Sequence, residues 1–330
     1  MVTIIIPTYK RADNIEKAID SVLNQTYKDF EIIVVDDNDE NTVYRQDMIK
    51  TMQKYANNSK VKYIKHKNNK NGAAARNTGI KEAKGDFITF LDDDDYFMPK
   101  RLEILVDALE NNKQYNGAYT ATILSKKGKI IGGSNAKKSG NLKKELLLNN
   151  FSFGTGSNMF FRAETIKEMD GFDEKFLRHQ DIECMIRFFR NNEILGIDQP
   201  LVIKCQNDRS NEPDFEKYKK VKEVYIKSFK EDVLKLDEKD QNAFYRINIE
   251  QLIANAIKNK KYKEVKVLKK ELEKYNVETN KIISKNKIKN IINFINNYIP
   301  IKFIEEIIRR AVFSRNIDKE IINIIKINNI

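Results

Sequence analysis

The chain has 330 residues, a net charge of +12, two histidines and two cysteines. That length predicts about two domains, its 41% hydrophobic content excludes wholesale disorder, and so few Cys and His exclude a disulfide framework and a histidine-based zinc site. The opening Met1-Val2-Thr3-Ile4-Ile5-Ile6-Pro7 has no basic n-region, and no run of about 18 apolar residues occurs, so neither a secretory leader nor an ordinary transmembrane helix is expected, and a reducing cytoplasm is the predicted location.

Val2 to Ile6, ended by Pro7, reads as a strand buried on both faces. A helix follows over about 13–23, with Ile15, Ala18, Ile19 and Val22 on one stripe and Asp13 as its N-cap. Residues 31–35 form a second buried strand running into Asp36-Asp37-Asn38, and a helix over 42–55 leads to a short strand at 61–64. Gly72-Ala73-Ala74-Ala75-Arg76-Asn77 opens a small-residue helix, and 86–91 is a fourth strand running into Asp92-Asp93-Asp94-Asp95. This alternation means βαβ units and a largely parallel sheet in an α/β fold. Beyond residue 100 come a helix at 101–111, a hairpin of 118–124 with 129–131 turning at Lys126-Lys127-Gly128, an aromatic loop and strand at 151–162, and a helix over 181–191. From 211 onward the pattern is helical, with Pro213 near the boundary, a helical hairpin of 243–257 with 262–274, and Pro300 breaking a later helix. The predicted division is therefore a catalytic domain over 1–210 and a helical domain over 211–330.

The acidic quartet carries the most specific chemistry. Four carboxylates directly after a buried strand repel one another, and the carboxyl ends of parallel strands are where ligands bind. Asp36-Asp37 ends another strand in the same way, so a divalent cation between or beside the two clusters is expected, with magnesium or manganese suiting hard oxygen ligands and a diphosphate. No GxxxxGK[ST] occurs, and no GxGxxG follows the first strand, which argues against P-loop hydrolysis and dinucleotide redox chemistry. A diphosphate bound here needs the metal and side chains such as Arg76 and Asn77.

Four motifs in order, Ile6-Pro7-Thr8-Tyr9-Lys10-Arg11, Val34-Val35-Asp36-Asp37-Asn38, Asn71-Gly72 with Ala75-Arg76-Asn77-Thr78-Gly79-Ile80, and Phe90-Leu91-Asp92-Asp93-Asp94-Asp95, make residues 1–210 resemble the family 2 glycosyltransferases. The resemblance implies a GT-A fold, a nucleotide-sugar donor (UDP most often), Mn2+ or Mg2+, and inversion at the anomeric centre. It places Pro7, Thr8, Tyr9, Arg11, Asp37, Asn71 and Arg76 around the nucleotide. It sets Asp92, Asp93 and Asp94 on the DxD motif, with Asp94 as the direct metal ligand, Asp92 or Asp93 on ribose and outer contacts, and Asp92 also a metal-ligand candidate. In Arg178-His179-Gln180-Asp181-Ile182-Glu183 the matching catalytic base is Asp181, since an acceptor hydroxyl must lose its proton during in-line attack. Gln180 stands where the family usually has Glu, and Glu183 is the next base in line. Gly156, His179, Gln180, Glu183 and Arg209 are the candidate donor and acceptor contacts, and the acceptor is a surface glycan, a glycolipid or a glycoprotein.

Residues 211–330 carry 27 Lys+Arg against 18 Asp+Glu, so most of the excess charge sits in the tail. Residues 281–330 alone hold 18 Ile, with Ile288, Ile291, Ile292, Ile295 and Ile299 at helical spacing, a pattern that suits an anionic membrane surface, packing on preceding helices or a homodimer seam. Nucleic acid is not an expected partner, because Ile stands where aromatics would interleave with lysines. Two rival functions are a nucleotidyltransferase, which calls for a Gly/Arg-rich loop after the first strand, and a basic binding module without catalysis.

Overall fold

A computed structural model describes residues 1–206 and 213–275; Arg209, Pro300 and the isoleucine stripe of the tail lie outside the described residues. Two compact units result, one of residues 1–146 with 151–207 and one of 147–150 with 208 onward.

The first unit is built on a nine-stranded sheet among the described residues, in the order β3-β2-β1-β4-β8-β6-β9-β5 with β7 beside β6. Its first half is parallel and comes from β1 (Val2–Thr8), β2 (Phe30–Asp36), β3 (Val61–Lys65) and β4 (Phe87–Phe90), linked by helices α1 (Ile15–Leu23), α2 (Val43–Met52) and α3 (Gly72–Glu82). Every residue of β1 is buried, and its alternating side chains feed two cores. Ile4 and Ile6 pack with Ile15, Ile19 and Val22 of α1, whereas Ile5 faces Gly79 of α3. β2 divides likewise, with Ile32 and Val34 on the α1 side and Ile33 and Val35 against Ala75. An apolar run without polar alternation is what a strand covered by helices on both faces requires.

Strand order reverses at β1, which pairs with β2 on one side and β4 on the other. The register aligns Thr8 with Asp36 and Ile5 with Phe90, so Thr8, Asp37 and the acidic quartet emerge at one edge, the switch point where open α/β sheets bind ligands.

The rest of this unit is mixed. β5 (Tyr96–Phe97), α4 (Arg101–Asn111), β6 (Gly117–Lys126), β7 (Lys129–Ser134), α5 (Lys143–Leu147), β8 (Phe160–Arg162), α6 (Ala163–Glu168), α7 (Gln180–Phe188) and β9 (Ile194–Cys205) follow in turn. The β6–β7 hairpin turns at Lys127-Gly128, both at positive φ, the geometry of a tight two-residue hairpin. The second unit holds α8 (Phe215–Ser228), α9 (Lys230–Leu234), α10 (Glu238–Lys258) and α11 (Tyr262–Glu273). The helical hairpin is α10 with α11, and its core joins Phe215 to Ile249, Leu252, Ile253, Leu268 and Leu272.

The short elements β5, α5 and α6 have no counterpart in the sequence pattern, α7 ends at Phe188 rather than 191, and two further differences have a local cause. The first helix begins at Ile15, not Asp13, with Asn14 in the cap position and no side-chain cap bond, because Asn14 already has helical φ and ψ. The long strand β9 is absent from the sequence reading because Gly196, Asp198 and Pro200 interrupt its apolar pattern, and its pairing with β6 shifts register around Thr120 to Thr122, opposite Pro200.

Close contact between α3 and β1 gives a direct test. A Cβ on Gly79 would lie 2.4 Å from Ile5 Cγ2 and 2.9 Å from Cγ1. Gly79→Ala gains about 1 kcal/mol of helix propensity but overpacks a fully buried strand, which costs about 1–3 kcal/mol. A net loss of about 1 kcal/mol is expected by urea unfolding, and the double variant with Ile5→Ala should lose less than the sum of the two singles.

Candidate active site

Inside the acidic quartet, side chains alternate between two environments. Asp93 and Asp95 are 5% and 3% exposed, whereas Asp92 and Asp94 are partly open. Thr8 Oγ1 donates to Asp93 at 2.8 Å, and Arg11 pairs with Asp93 at 3.2 Å and with Asp94. Asp95 accepts from Ser157 Oγ at 2.7 Å, Thr155 Oγ1 at 3.1 Å and the Cys205 N–H at 3.0 Å. Burial pushes the Asp93 and Asp95 carboxyls up to about 7, against the pull of Arg11 on Asp93 and of the Ser157 hydroxyl on Asp95.

Asp36 and Asp37 are spent inward. Asp36 pairs with the buried Arg45 at 2.9 Å and accepts from Tyr63 Oη at 2.5 Å. Asp37 Oδ1 faces His66 Nδ1 at 2.7 Å and the Lys70 N–H at 2.9 Å, while Oδ2 takes Asn69 Nδ2 at 2.7 Å and the Asn71 N–H at 3.0 Å. All four of its lone-pair positions are occupied, so Asp37 shapes the loop before α3 and does not present a bare oxygen. Asn71 in turn caps α3 through the Ala73 and Ala74 N–H groups and donates to the Glu174 carbonyl. Arg45, Arg11 and Arg76 bring positive charge to the two acidic clusters from the chain's own side chains.

Arg76 joins the two halves of the site. Its Nη2 donates to Asp92 at 2.7 Å, its Nη1 to Gln180 Oε1 at 3.0 Å, and its guanidinium lies 5.5 Å over the Phe172 ring. A Cβ on Gly156 would come within 3.7 Å of Asp181 Cβ and 3.9 Å of Arg76 Nη2. Arg76, Asp92, Gly156, Gln180 and Asp181 therefore converge. A second group unites Thr8, Arg11, Asp93 and Asp94. Pro7 is buried in β1, Tyr9 is 38% exposed with Lys10 Nζ 4.7 Å from its ring, and His179 sits in the left-handed turn just before α7.

Glu183 corrects one expectation. It is 2% exposed, bonds Arg187 through both carboxylate oxygens and accepts the Asp173 N–H at 3.2 Å. Two positions along a helix turn a side chain by about 200°, so Asp181 and Glu183 cannot both face the site, and Glu183 is committed to Arg187 and the Asp173 N–H. Nothing in the sequence signals the buried places of Arg101 and His66, nor that Asp95 and Ser157 bond each other beneath the site. The Glu183/Arg187 spacing of four was the readable signal for a structural pair; for Ser157 none existed outside its nearness to Gly156.

The quartet carboxylates that could reach a metal are Asp92 and Asp94, whose side chains are 31% and 16% exposed and paired with Arg76 and Arg11. No cluster of three or more ligand-type side chains occurs among the described residues. Two hard carboxylates fit a magnesium or manganese ion that takes its other ligands from water and phosphate. Along α3 and the Gly171–Glu174 loop lies a cavity of about 510 Å3, lined by Asn77, Lys81, Lys167, Asp170 and Glu174 among others.

The glycosyl transferase family 2 model matches residues 3–170, and the chain belongs to that family. It is 32% identical over 179 residues to the GalNAc(5)-diNAcBac-PP-undecaprenol beta-1,3-glucosyltransferase of Campylobacter jejuni, covering 53% of this chain and 55% of that protein. It is 38% identical over 114 residues to the poly(ribitol-phosphate) beta-N-acetylglucosaminyltransferase TarP of Staphylococcus aureus, covering 34% of each. The chain thus spans about half or less of the length of these relatives. In fold it is similar to S. aureus TarS 1-349 in complex with UDP-GlcNAc (TM-score 0.53, 17% identity, 77% of this chain and 81% of that one). It is also similar to the mannosyltransferase PcManGT of Pyrobaculum calidifontis in complex with GDP-Man and Mn2+ (TM-score 0.55, 14% identity, 88% and 86%).

The opposite settings of Asp181 and Glu183 predict opposite costs. Glu183→Ala strands the partly buried Arg187 and should cost about 2–3 kcal/mol in urea unfolding, at or below the low end for breaking a buried pair because Arg187 keeps some solvent. Asp181→Asn should stay within about 0.5 kcal/mol of wild type.

Proposed function

We propose that this chain is an inverting, metal-dependent glycosyltransferase that moves a sugar from a nucleoside-diphosphate sugar, UDP-linked in the first instance, to a hydroxyl of a lipid-linked or polysaccharide acceptor. The observation that carries the reading is the meeting of Asp92, Arg76 and Gln180 beside Asp181 at the carboxyl edge of the sheet. The relatives' names support the acceptor class, since one acts on an undecaprenyl-linked glycan and another on poly(ribitol-phosphate). The TarS complex with UDP-GlcNAc supports the uridine carrier.

Each group has a part. Thr8 and Arg11 hold Asp93 and Asp94, and Tyr9 offers an exposed ring at the nucleotide end. Asp37 and Asn71 build the loop on which α3 begins, so that Arg76 reaches the diphosphate side of the site. Asp92 and Asp94 would hold magnesium or manganese, which when bound supplies charge neutralisation for the departing nucleoside diphosphate. Gly156 leaves room for the donor sugar next to Asp181. The Asp181 carboxylate takes the acceptor hydroxyl proton as that oxygen bonds to the anomeric carbon and the bond from the anomeric carbon to the diphosphate oxygen breaks. Gln180 holds Arg76 through a neutral amide, and Glu183 is taken up by Arg187, which leaves Asp181 as the carboxylate of the first turn of α7 for the base.

Among the described residues no helix is long and apolar enough to cross a membrane. A peripheral position at an anionic surface is supported by the tail's composition alone, as is a homodimer seam.

Incubation with a panel of nucleotide-sugars and Mn2+, followed by assay of nucleotide release, tests the activity; release from none of them would overturn the reading. Asp94→Asn should abolish transfer and weaken metal-dependent nucleoside-diphosphate binding while the fold persists. Asp181→Asn should leave donor KM nearly unchanged and cut kcat by about 100-fold or more.

A further inference from the structure

Two fully buried groups take no part in that mechanism. Arg101 is 0% exposed, and burial pushes its guanidinium down to about 9. Its Nη1 donates to Thr120 Oγ1 at 2.7 Å and Asn158 Oδ1 at 3.2 Å, its Nη2 reaches the Ser157 carbonyl at 3.4 Å, and it lies 4.6 Å from the Phe97 ring centroid. Asp95 is the second, fixed by three donors as described above. Both converge on the short turn Gly156–Asn158, whose Ser157 and Asn158 are themselves 0% exposed.

Ser157 occupies a particular place in this network. Its hydroxyl donates to Asp95 Oδ2 at 2.7 Å and accepts the Asp92 N–H at 3.0 Å. One buried oxygen therefore ties the base of the acidic quartet to its outermost member, the carboxylate that Arg76 grips. The residue before it, Gly156, is the one that lies against Asp181 and Arg76.

We infer that Ser157 is a positioning residue for the donor: anchored from below by Asp95 and Arg101, it fixes the backbone of Asp92 and so the placement of the nucleoside-diphosphate sugar. This rests on the glycosyltransferase reading for its effect on donor, but not for its effect on Asp92. The Asp95 N–H donates to the Asp92 carbonyl at 3.0 Å within the quartet's own turn, and Arg101 makes no bond to Asp92; only the Ser157 hydroxyl, with one partner on each, holds the Asp92 N–H from outside the quartet. The neighbouring Thr155 provides the contrast. It bonds the same Asp95 oxygen at 3.1 Å but makes no bond to Asp92.

The test compares Ser157→Ala, Ser157→Thr and Thr155→Val in the full chain, all checked by thermal unfolding. Hydrogen exchange of the peptide containing Asp92 should rise by about 10-fold or more in Ser157→Ala and stay near wild type in Thr155→Val. With the nucleotide-sugar that wild type hydrolyses best, Ser157→Ala should raise donor KM about 10-fold with kcat within about 3-fold. Thr155→Val should keep KM within about 2-fold, and Ser157→Thr, which restores the hydroxyl, should recover most of the loss. Equal KM changes in Ser157→Ala and Thr155→Val, or unchanged exchange at Asp92, would overturn the proposal and leave a merely structural turn. A wild-type chain inactive on every donor would remove the glycosyltransferase reading, and the exchange comparison would still decide whether Ser157 holds Asp92.

Discussion

The hydrogen bonds from Arg76 to Asp92 and to Gln180 are the constraint on which the rest of the site depends. They tie the end of β4 to the start of α7 across the first turns of α3, three segments that are remote in sequence. A guanidinium is suited to this because its planar fork offers separate donors to two partners at fixed angles. It also neutralises one carboxylate of the quartet, while Arg11 bridges two others from the end of β1. The chain thereby holds a strongly acidic loop in shape with its own arginines as counter-charges.

That pre-assembly rests on the sheet. The α3 helix can approach β1 closely because it presents Ala73, Ala74, Ala75 and Gly79, and the approach places Arg76 at the sheet's carboxyl edge. Asn71 and Asp37 fix where α3 starts, with His66 completing the ring of partners around Asp37 between it and Thr78. Beneath the site, Asp95 and Arg101 bind the Gly156–Asn158 turn from two sides. Exposed side chains that would meet a substrate thus stand on others that are fully buried and hydrogen-bonded, the arrangement that limits their movement.

The parallel half of the fold is legible in the sequence because its strands are short, apolar and bounded by turn residues, and because α1 keeps Ile15, Ala18, Ile19 and Val22 on one 3.6-residue stripe. The helical hairpin of α10 and α11 was legible for the same reason. β9 was not, since Gly196 and Pro200 hide a strand that its partner β6 organises through long-range pairing. Within the site, Asp92 to Asp95 read as one run of equivalent carboxylates. Only the backbone separates them into an outward pair and an inward pair, and only there do Arg11 and Arg76 emerge as the counter-charges. Asp181 and Glu183 illustrate the same limit: two acids two residues apart look interchangeable until the helix turns one toward the site and the other onto Arg187.

In the proposed reaction these groups support a single displacement, with Asp181 on the acceptor side and the Asp92–Arg76 edge on the donor side. The configuration of the product measures this directly. Proton NMR of the new glycosidic linkage, formed from an α-linked nucleotide-sugar, should show a β anomer. An α-linked product would mean retention and would contradict the account.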